Sequence, residues 1–504
     1  MSTPDPADIL PDLNLYKYKH LVDHTGRLFA LKFHQKEMTS SEAQLPVSGS
    51  TVEIEPSASD QPFRFRSVLR LSTFQIGSAM SDILMTSVWN RIMISNFGIA
   101  AWPVGLLIAM RYFLFPLSLW SGYQSDSHPI RGLHRTPYIW SGRLLMVLSF
   151  PLLGFSLNRL AADSGDVLGW VLAIGCFVFF GAGTLISGSP FLALVRDSVP
   201  KEKQGLAISV VETVMIAFFP ISAILFGYWL EEYSQSVFWQ VIIVTMAVAA
   251  FFWVVAIAGV EKRIARTVIS ESESVRFSFR KTFGKIWRDR RTRRFFGFLA
   301  IATVAAWAQD NVLEPFGAEV FDMPVGQTTR LNAYWQGTLV IVLVLTSFIR
   351  RKTRPEEQTG LTKVGLGLMV VGMIFIGFSS LSGQLYLLIL GLIIFGAGFG
   401  LFTFGGFSLI AVMTTDIEAG AYLSLWTVCI LASRGLGISL GSFLRDIFIA
   451  LTDSPELSYA LIFFLEALGI AVGVFLLSRR DILGFARDAG RINGDELPVI
   501  TLDV

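Results

Sequence analysis

Between Gly122 and Trp140 the chain reads GYQSDSHPIRGLHRTPYIW. This stretch decides the fold. It carries Asp126, His128, Arg131, His134 and Arg135, whereas the residues before it (IAAWPVGLLIAMRYFLFPLSLW) and after it (LLMVLSFPLLGFSL) are almost wholly apolar. A helix needs about 20 apolar residues to cross the hydrocarbon core of a bilayer, and a short charged loop between two such runs is the sequence of a turn between two spans. Pro137 suits the first turn of the second one, where a missing N–H costs little.

The composition of the whole chain agrees. Of 504 residues 53% are apolar and 16% charged, well to the lipid side of a globular protein. Apolar runs recur at about 72–95, 101–122, 137–157, 167–195, 205–230 and 236–258, then at about 295–313, 332–350, 362–381, 386–412, 419–443 and 457–478. They predict an all-α integral membrane fold of twelve spans in two sets of six. The net charge of +2 points to no nucleic-acid partner. Lys and Arg collect on one side: Arg131 and Arg135, then Arg196, Lys201 and Lys203, the run RKTFGKIWRDRRTRR, Arg350 to Arg354, and Arg479 with Arg480. The positive-inside rule makes that side, and both termini, cytoplasmic.

The expected organisation is a cytoplasmic extension over 1–66, rich in Ser, Pro and acids, a six-helix lobe over 67–260, a basic central loop over 261–294, a second lobe over 295–480 and a tail over 481–504. Three matches recur at nearly one offset: NFGIAAWPVG with PFGAEVFDMPVG, FGAG at Phe180 and at Phe395, and Asp197 before Gly205 with Asp416 before Gly420. Together they favour a duplicated six-helix unit whose copies run parallel. The Gly-rich fourth and tenth spans read as surfaces where helix backbones approach closely.

Two common enzyme motifs are missing. There is no GxxxxGK[ST] phosphate loop, no HExxH and no pair of Cys or His at ligand spacing, so the expectation is a protein that is not an enzyme and binds no metal. Cys176 and Cys429 sit apart in apolar runs and read as free buried thiols. His20, His24 and His34 fall in the extension and His128 and His134 in the opening loop, and all five read as solvated or hydrogen-bonding side chains more readily than as ligands.

Ionisable residues inside spans cost several kcal/mol unless paired or hydrated. The acids are Asp82, Glu212, Asp310, Glu314 and Glu466; the bases are Arg91, Arg111, Arg143 and Arg434. Asp82 and Glu212 lie deep and call for a cavity or a buried partner. Asp310 and Glu314, four apart, are expected on one helix face, with Glu314 read either as an interfacial residue or as part of that face. Arg143, and Arg91 on the opposite side, are expected to snorkel. Gln75, Asn90 and Arg91 are candidate polar contacts for a ligand in a cavity, the alternative for the amides being helix-to-helix hydrogen bonds.

GYQSDSHPIRGLHR resembles the G-x-x-x-D followed by basic residues that marks the major facilitator superfamily between its second and third helices. Gly122 and Asp126 match, and Arg131 and Arg135 stand for the basic cluster at a looser spacing. The resemblance implies that Gly122 allows close helix packing and that Asp126 and the arginines form a cytoplasmic latch that changes between inward and outward states. LVRDSVPKEKQG after the fourth span is similar to that superfamily too.

A narrower resemblance is carried by RLSTFQIG, WNRIMI, SDSH..RGLHRTPYIWSG, LEPFGAEVF and PVGQTTRL. Together they resemble the light-harvesting complex assembly family of PucC type, also called the bacteriochlorophyll delivery family. That resemblance implies a factor of the photosynthetic inner membrane that assembles antenna complexes. Its expected partners are membrane lipid, antenna polypeptides and pigment-synthesis enzymes, with chlorophyll or bacteriochlorophyll as a transient ligand and no tightly bound cofactor. A proton-coupled transporter of a small solute, with Asp82, Glu212 or Asp310 carrying the proton, and a non-cycling scaffold are the alternatives.

Overall fold

The first apolar run turns its polar side chains inward. Ser72, Gln75, Ser81, Ser87, Asn90 and Arg91 are all buried, as expected of residues that hydrocarbon would reject. In the computed structural model, which describes residues 64–200, 203–261, 290–350, 355–413 and 419–478, this run comprises α1 (Phe65–Ser72), α2 (Phe74–Ile83) and the short α3 (Trp89–Arg91). A π-turn lies on each side of α3, Leu84–Val88 before it and Ile92–Asn96 after it.

The remaining helices are α4 (Ala101–Phe113), α5 (Pro116–Ser127), α6 (Thr136–Ala162), α7 (Val167–Asp197), α8 (Gln204–Trp229) and α9 (Gln235–Ile257). They are followed by α10 (Arg290–Ala308), α11 (Leu313–Phe321), α12 (Val325–Ile349), α13 (Pro355–Ser382), α14 (Leu385–Met413), α15 (Ala419–Thr452) and α16 (Pro455–Ser478). Among the described residues the only β pairing is the isolated bridge Ile130–Leu133, inside the opening loop. Pro137 does stand in the first turn of α6.

Ten spans among the described residues are long and apolar enough to cross a membrane, and a bent pair makes an eleventh. This departs from the expected twelve. The run over α1 to α3 is not among the ten: π-turns divide it into short helices, and it carries buried polar residues. The expected straight span over 295–313 bends by 46° between Thr292–Asn311 and Leu313–Phe321, with a 3-10 turn at Gln309–Asn311. The N-terminal extension, most of the central basic loop, Asp416 and the C-terminal tail lie outside the described residues.

Two apolar cores form. One is built from α1 to α9 and takes in Val325 and Ile438; the other is built from α10 to α16. The two helix sets meet where α4 packs on α15 and α8 on α12. Glycine makes those contacts close. A Cβ on Gly105 would stand 2.6 Å from Ser442 Cβ, and one on Gly227 would stand 2.6 Å from the Gly326 carbonyl oxygen. Both FGAG stretches sit at such places within their own sets: a Cβ on Gly183 would lie 2.8 Å from Met146 Cγ, and one on Gly398 would lie 2.5 Å from the Gly365 oxygen. Gly122 is different, since a Cβ there would stand in ordinary contact, 3.6 Å from Ser189 Cβ. The close crossing implied for it lies at Gly142 and Gly183 instead.

One stretch carries the GxSxG spacing of esterase nucleophiles, Gly437-Ile438-Ser439-Leu440-Gly441. It lies inside the continuous helix α15, where no strand-to-helix elbow exposes the serine. Its glycines serve packing, a Cβ on Gly437 falling 2.5 Å from the Val304 oxygen.

Candidate functional site

At the basic end, α5, α6 and α7 bring the opening loop together around one buried side chain. Arg135, 8% exposed, pairs with Asp126, reaches Asp197 at 3.3 Å and donates to Ser125 Oγ at 2.8 Å. Glu261, just past α9, accepts from the backbone N–H groups of His134 (2.6 Å), Arg135 (2.9 Å) and Thr136 (2.7 Å). It thus supplies the N-terminal cap that Arg135 cannot offer. Burial works against the Glu261 charge, but these bonds outweigh it and hold the carboxyl below its ordinary value. Arg131 stays outside the cluster, exposed and at a φ of 54°. The hydrogen bonds and ion pairs of Arg135 all stay within the first helix set.

Deeper in, the two sets meet through polar groups. Asn90 donates to the Asn311 carbonyl at 2.9 Å, and Asn311 donates to Ser442 Oγ at 2.6 Å. Asn332 donates to both Ser87, at 3.2 Å, and Glu314, while its own oxygen accepts from Trp335 Nε1 at 3.0 Å. Glu314 is 1% exposed, and its Oε2 has no partner. It is therefore a buried seam residue and not an interfacial one. The shared face expected of Asp310 and Glu314 is broken by the bend: Asp310 faces Arg434 at 3.6 Å, Glu314 faces Asn332.

Of the other acids Asp82 and Glu212 find partners, whereas Glu466, also buried, has neither carboxylate oxygen hydrogen-bonded. Asp82 pairs with Arg111, which also donates to Tyr112. Glu212 lies 3.5 Å from Gln75 Nε2. Neither arginine expected to snorkel does so. Arg91 is buried and donates to Asn96 Oδ1 (2.7 Å) and, across the seam, to the Met323 oxygen (3.1 Å). Arg143, 4% exposed, holds its guanidinium 4.1 Å from the Phe74 ring centre and 4.6 Å from that of Trp253, where cation–π attraction stands in for a counter-ion.

At the far end, away from the basic loops, a clasp joins the sets that sequence reading missed. Asp446, near the end of α15, accepts from the Ala101 and Trp102 N–H groups at 3.0 and 2.7 Å and so caps α4 of the other set. Arg445 binds Asp446 at 2.8 Å and grips Glu319 with two bonds of 2.6 and 2.7 Å, and Tyr459 donates to Glu319 at 2.8 Å. Arg330 lies 3.8 Å from Glu231, and the Gly326 N–H donates to the Glu231 oxygen at 3.2 Å. In the sequence the clasp's trace is Arg330 and Arg445, two of the few bases on the side otherwise nearly bare of them.

No cluster of three His, Cys, Asp or Glu side chains able to hold a metal occurs among the described residues. His128 and His134 stay in the loop, the latter half-buried.

A family model described as "PUCC protein" matches residues 88–482. "Protein PucC" of Rhodovulum sulfidophilum is 30% identical over 387 residues, 75% of this chain and 85% of that protein. The "Bacteriochlorophyll synthase 44.5 kDa chain" of Rhodobacter capsulatus is 25% identical over 417 residues, 81% of this chain and 94% of its own length. Among solved structures, a POT family transporter in complex with a thioalcohol-conjugated peptide superposes with a TM-score of 0.61 at 13% identity, covering 84% of this chain and 96% of the transporter. The fold is that of major facilitator transporters, and the protein is an integral protein of the inner membrane. With the family model matched over most of its length, the chain belongs to the PUCC protein family.

Proposed function

We propose that this protein is a non-enzymatic assembly factor of the photosynthetic membrane. It binds a chlorophyll-type pigment in the seam between its two helix sets and passes it to nascent antenna polypeptides. It has twelve spans, counting Phe65–Asn96 and the bent pair each as one, and its basic end, with both termini, faces the cytoplasm. The observation that carries this reading is the family match over residues 88–482 on a chain whose sets are fastened at the far end. A relative whose name refers to bacteriochlorophyll synthase adds support. An apolar bundle with a few polar groups at its seam suits a flat apolar ligand.

The test has two parts. Deleting the gene in a pigmented host is expected to lower antenna absorption while reaction-centre absorption persists, and protein purified gently from that host is expected to carry a chlorin spectrum. Unchanged antenna levels with pigment-free protein would sink the reading. One observation favours a second reading, proton-coupled transport: Glu314 is a buried acid at the seam with one oxygen unpartnered.

A further inference from the structure

Two arginines, one from each helix set, converge on the ring of Tyr112. Arg111 stands 4.6 Å and Arg434 4.8 Å from its centre. They are held differently. Arg111 is bound to Asp82 through both terminal nitrogens and to the Tyr112 hydroxyl. Arg434 faces Asp310 at 3.6 Å, beyond hydrogen-bond reach, its Nε has no partner, and 26% of its side chain is exposed. Its guanidinium carbon lies over Trp307, 3.5 Å from the ring centre, and Trp307 in turn meets Trp335 and Phe399 edge-on.

The face of α15 that carries Arg434 looks into the bundle. At about 100° per residue, Leu436, Leu440 and Phe443 lie on the opposite side and are exposed as lipid-facing residues would be. On the face of Arg434 itself, Thr427 is exposed and Trp426 and Ile430 are half-buried. An exposed residue on the face turned away from lipid marks an opening, and lower numbers along α15 lead towards the basic end.

We propose that Arg434 anchors the carboxylate of a planar aromatic acid, with Trp307 and Tyr112 beside the carboxylate and the ligand's apolar body lying along Ile430 and Trp426 towards the basic end. This rests on the pigment-binding reading and narrows it: the cargo is a chlorin with a free carboxylic acid, before its side chain is esterified. A guanidinium offers a fork of donors matched to a carboxylate, and Arg434, whose side chain is partly exposed, can hold a ligand's carboxylate alongside that of Asp310.

The experiment titrates the full-length detergent-purified protein with pheophorbide a, a chlorin acid, and with its methyl ester, following absorption. The acid is expected to bind roughly tenfold more tightly, the scale of one charge-assisted hydrogen bond. Arg434→Gln should abolish that preference while leaving the ester unchanged. Asp310→Asn removes the neighbouring anion and should tighten the acid alone. Equal binding of acid and ester by the natural protein would overturn the carboxylate anchor and leave the pigment reading standing. Binding of neither would overturn both.

Discussion

The two ends of the bundle use the same chemistry for different purposes. At each, an acid caps the N-terminus of a helix and an arginine gathers carboxylates around it: Glu261 caps α6 beside Arg135, and Asp446 caps α4 beside Arg445. At the basic end cap, arginine and acids all belong to one helix set. At the far end the cap crosses from the second set to the first. A tie within a set stabilises that set whatever the other does, whereas a tie between sets holds only while they touch. The molecule described is thus fastened at its far end, and the Arg135 cluster at the basic end is folded back on its own lobe.

That difference breaks first at Asp446. Asp446→Ala leaves two helix N–H groups and Arg445 without their acceptor and is expected to lower stability by about 2 kcal/mol. It should also lengthen the distance between spin labels placed on the two sets at the far end; an unchanged distance would show that the clasp is not what holds them.

Glu261→Ala is expected to cost about 1 kcal/mol and to leave the far-end distance as it was. Because folding lowers the carboxyl below its ordinary value of 4.5, the unfolded chain binds more protons there. The stability it lends is present above about that pH and is lost as pH falls through the lower folded value. The protection of the His134 to Thr136 amides, taken relative to their intrinsic exchange rate at each pH, should therefore fall in acid in the natural protein and already be low at neutral pH in the variant.

The smallest effect is expected at Arg131. Arg131→Ala should change stability by less than about 0.5 kcal/mol, well below Arg135→Ala measured alongside. A loss equal to that of Arg135 would place Arg131 inside the Arg135 cluster after all.

Much of this was legible in the sequence. Apolar runs marked the spans because hydrocarbon admits little else, and GYQSDSHPIRGLHR marked a loop whose Asp126 and Arg135 do pair. The deep acids Asp82 and Asp310 announced partners by their cost. Which partners could not be read: Arg111 and Arg434 lie 29 and 124 positions away, and only the packing of helices brings them near. The bend at Gln309–Asn311 could have been read from Pro315, which has no N–H to give the Asn311 carbonyl four residues before it; that carbonyl accepts from Asn90 instead, a partner no sequence displays. Asp446 and Glu261 looked like ordinary loop charges. Their role depends on backbone N–H groups, which every sequence has and none displays.

The π-turns on either side of α3 have a consequence for comparing relatives. Each holds one residue more than the α-helical turn it replaces, and one residue is worth about 100° of rotation. Asn90 and Arg91 reach the seam from between two such insertions. A relative shorter by a single residue between Ile83 and Phe97 would present a different side of the helix to the seam, although every flanking residue still aligned. Along this stretch, a gap of one in an alignment signifies a change of the surface at the seam more than any single replacement does.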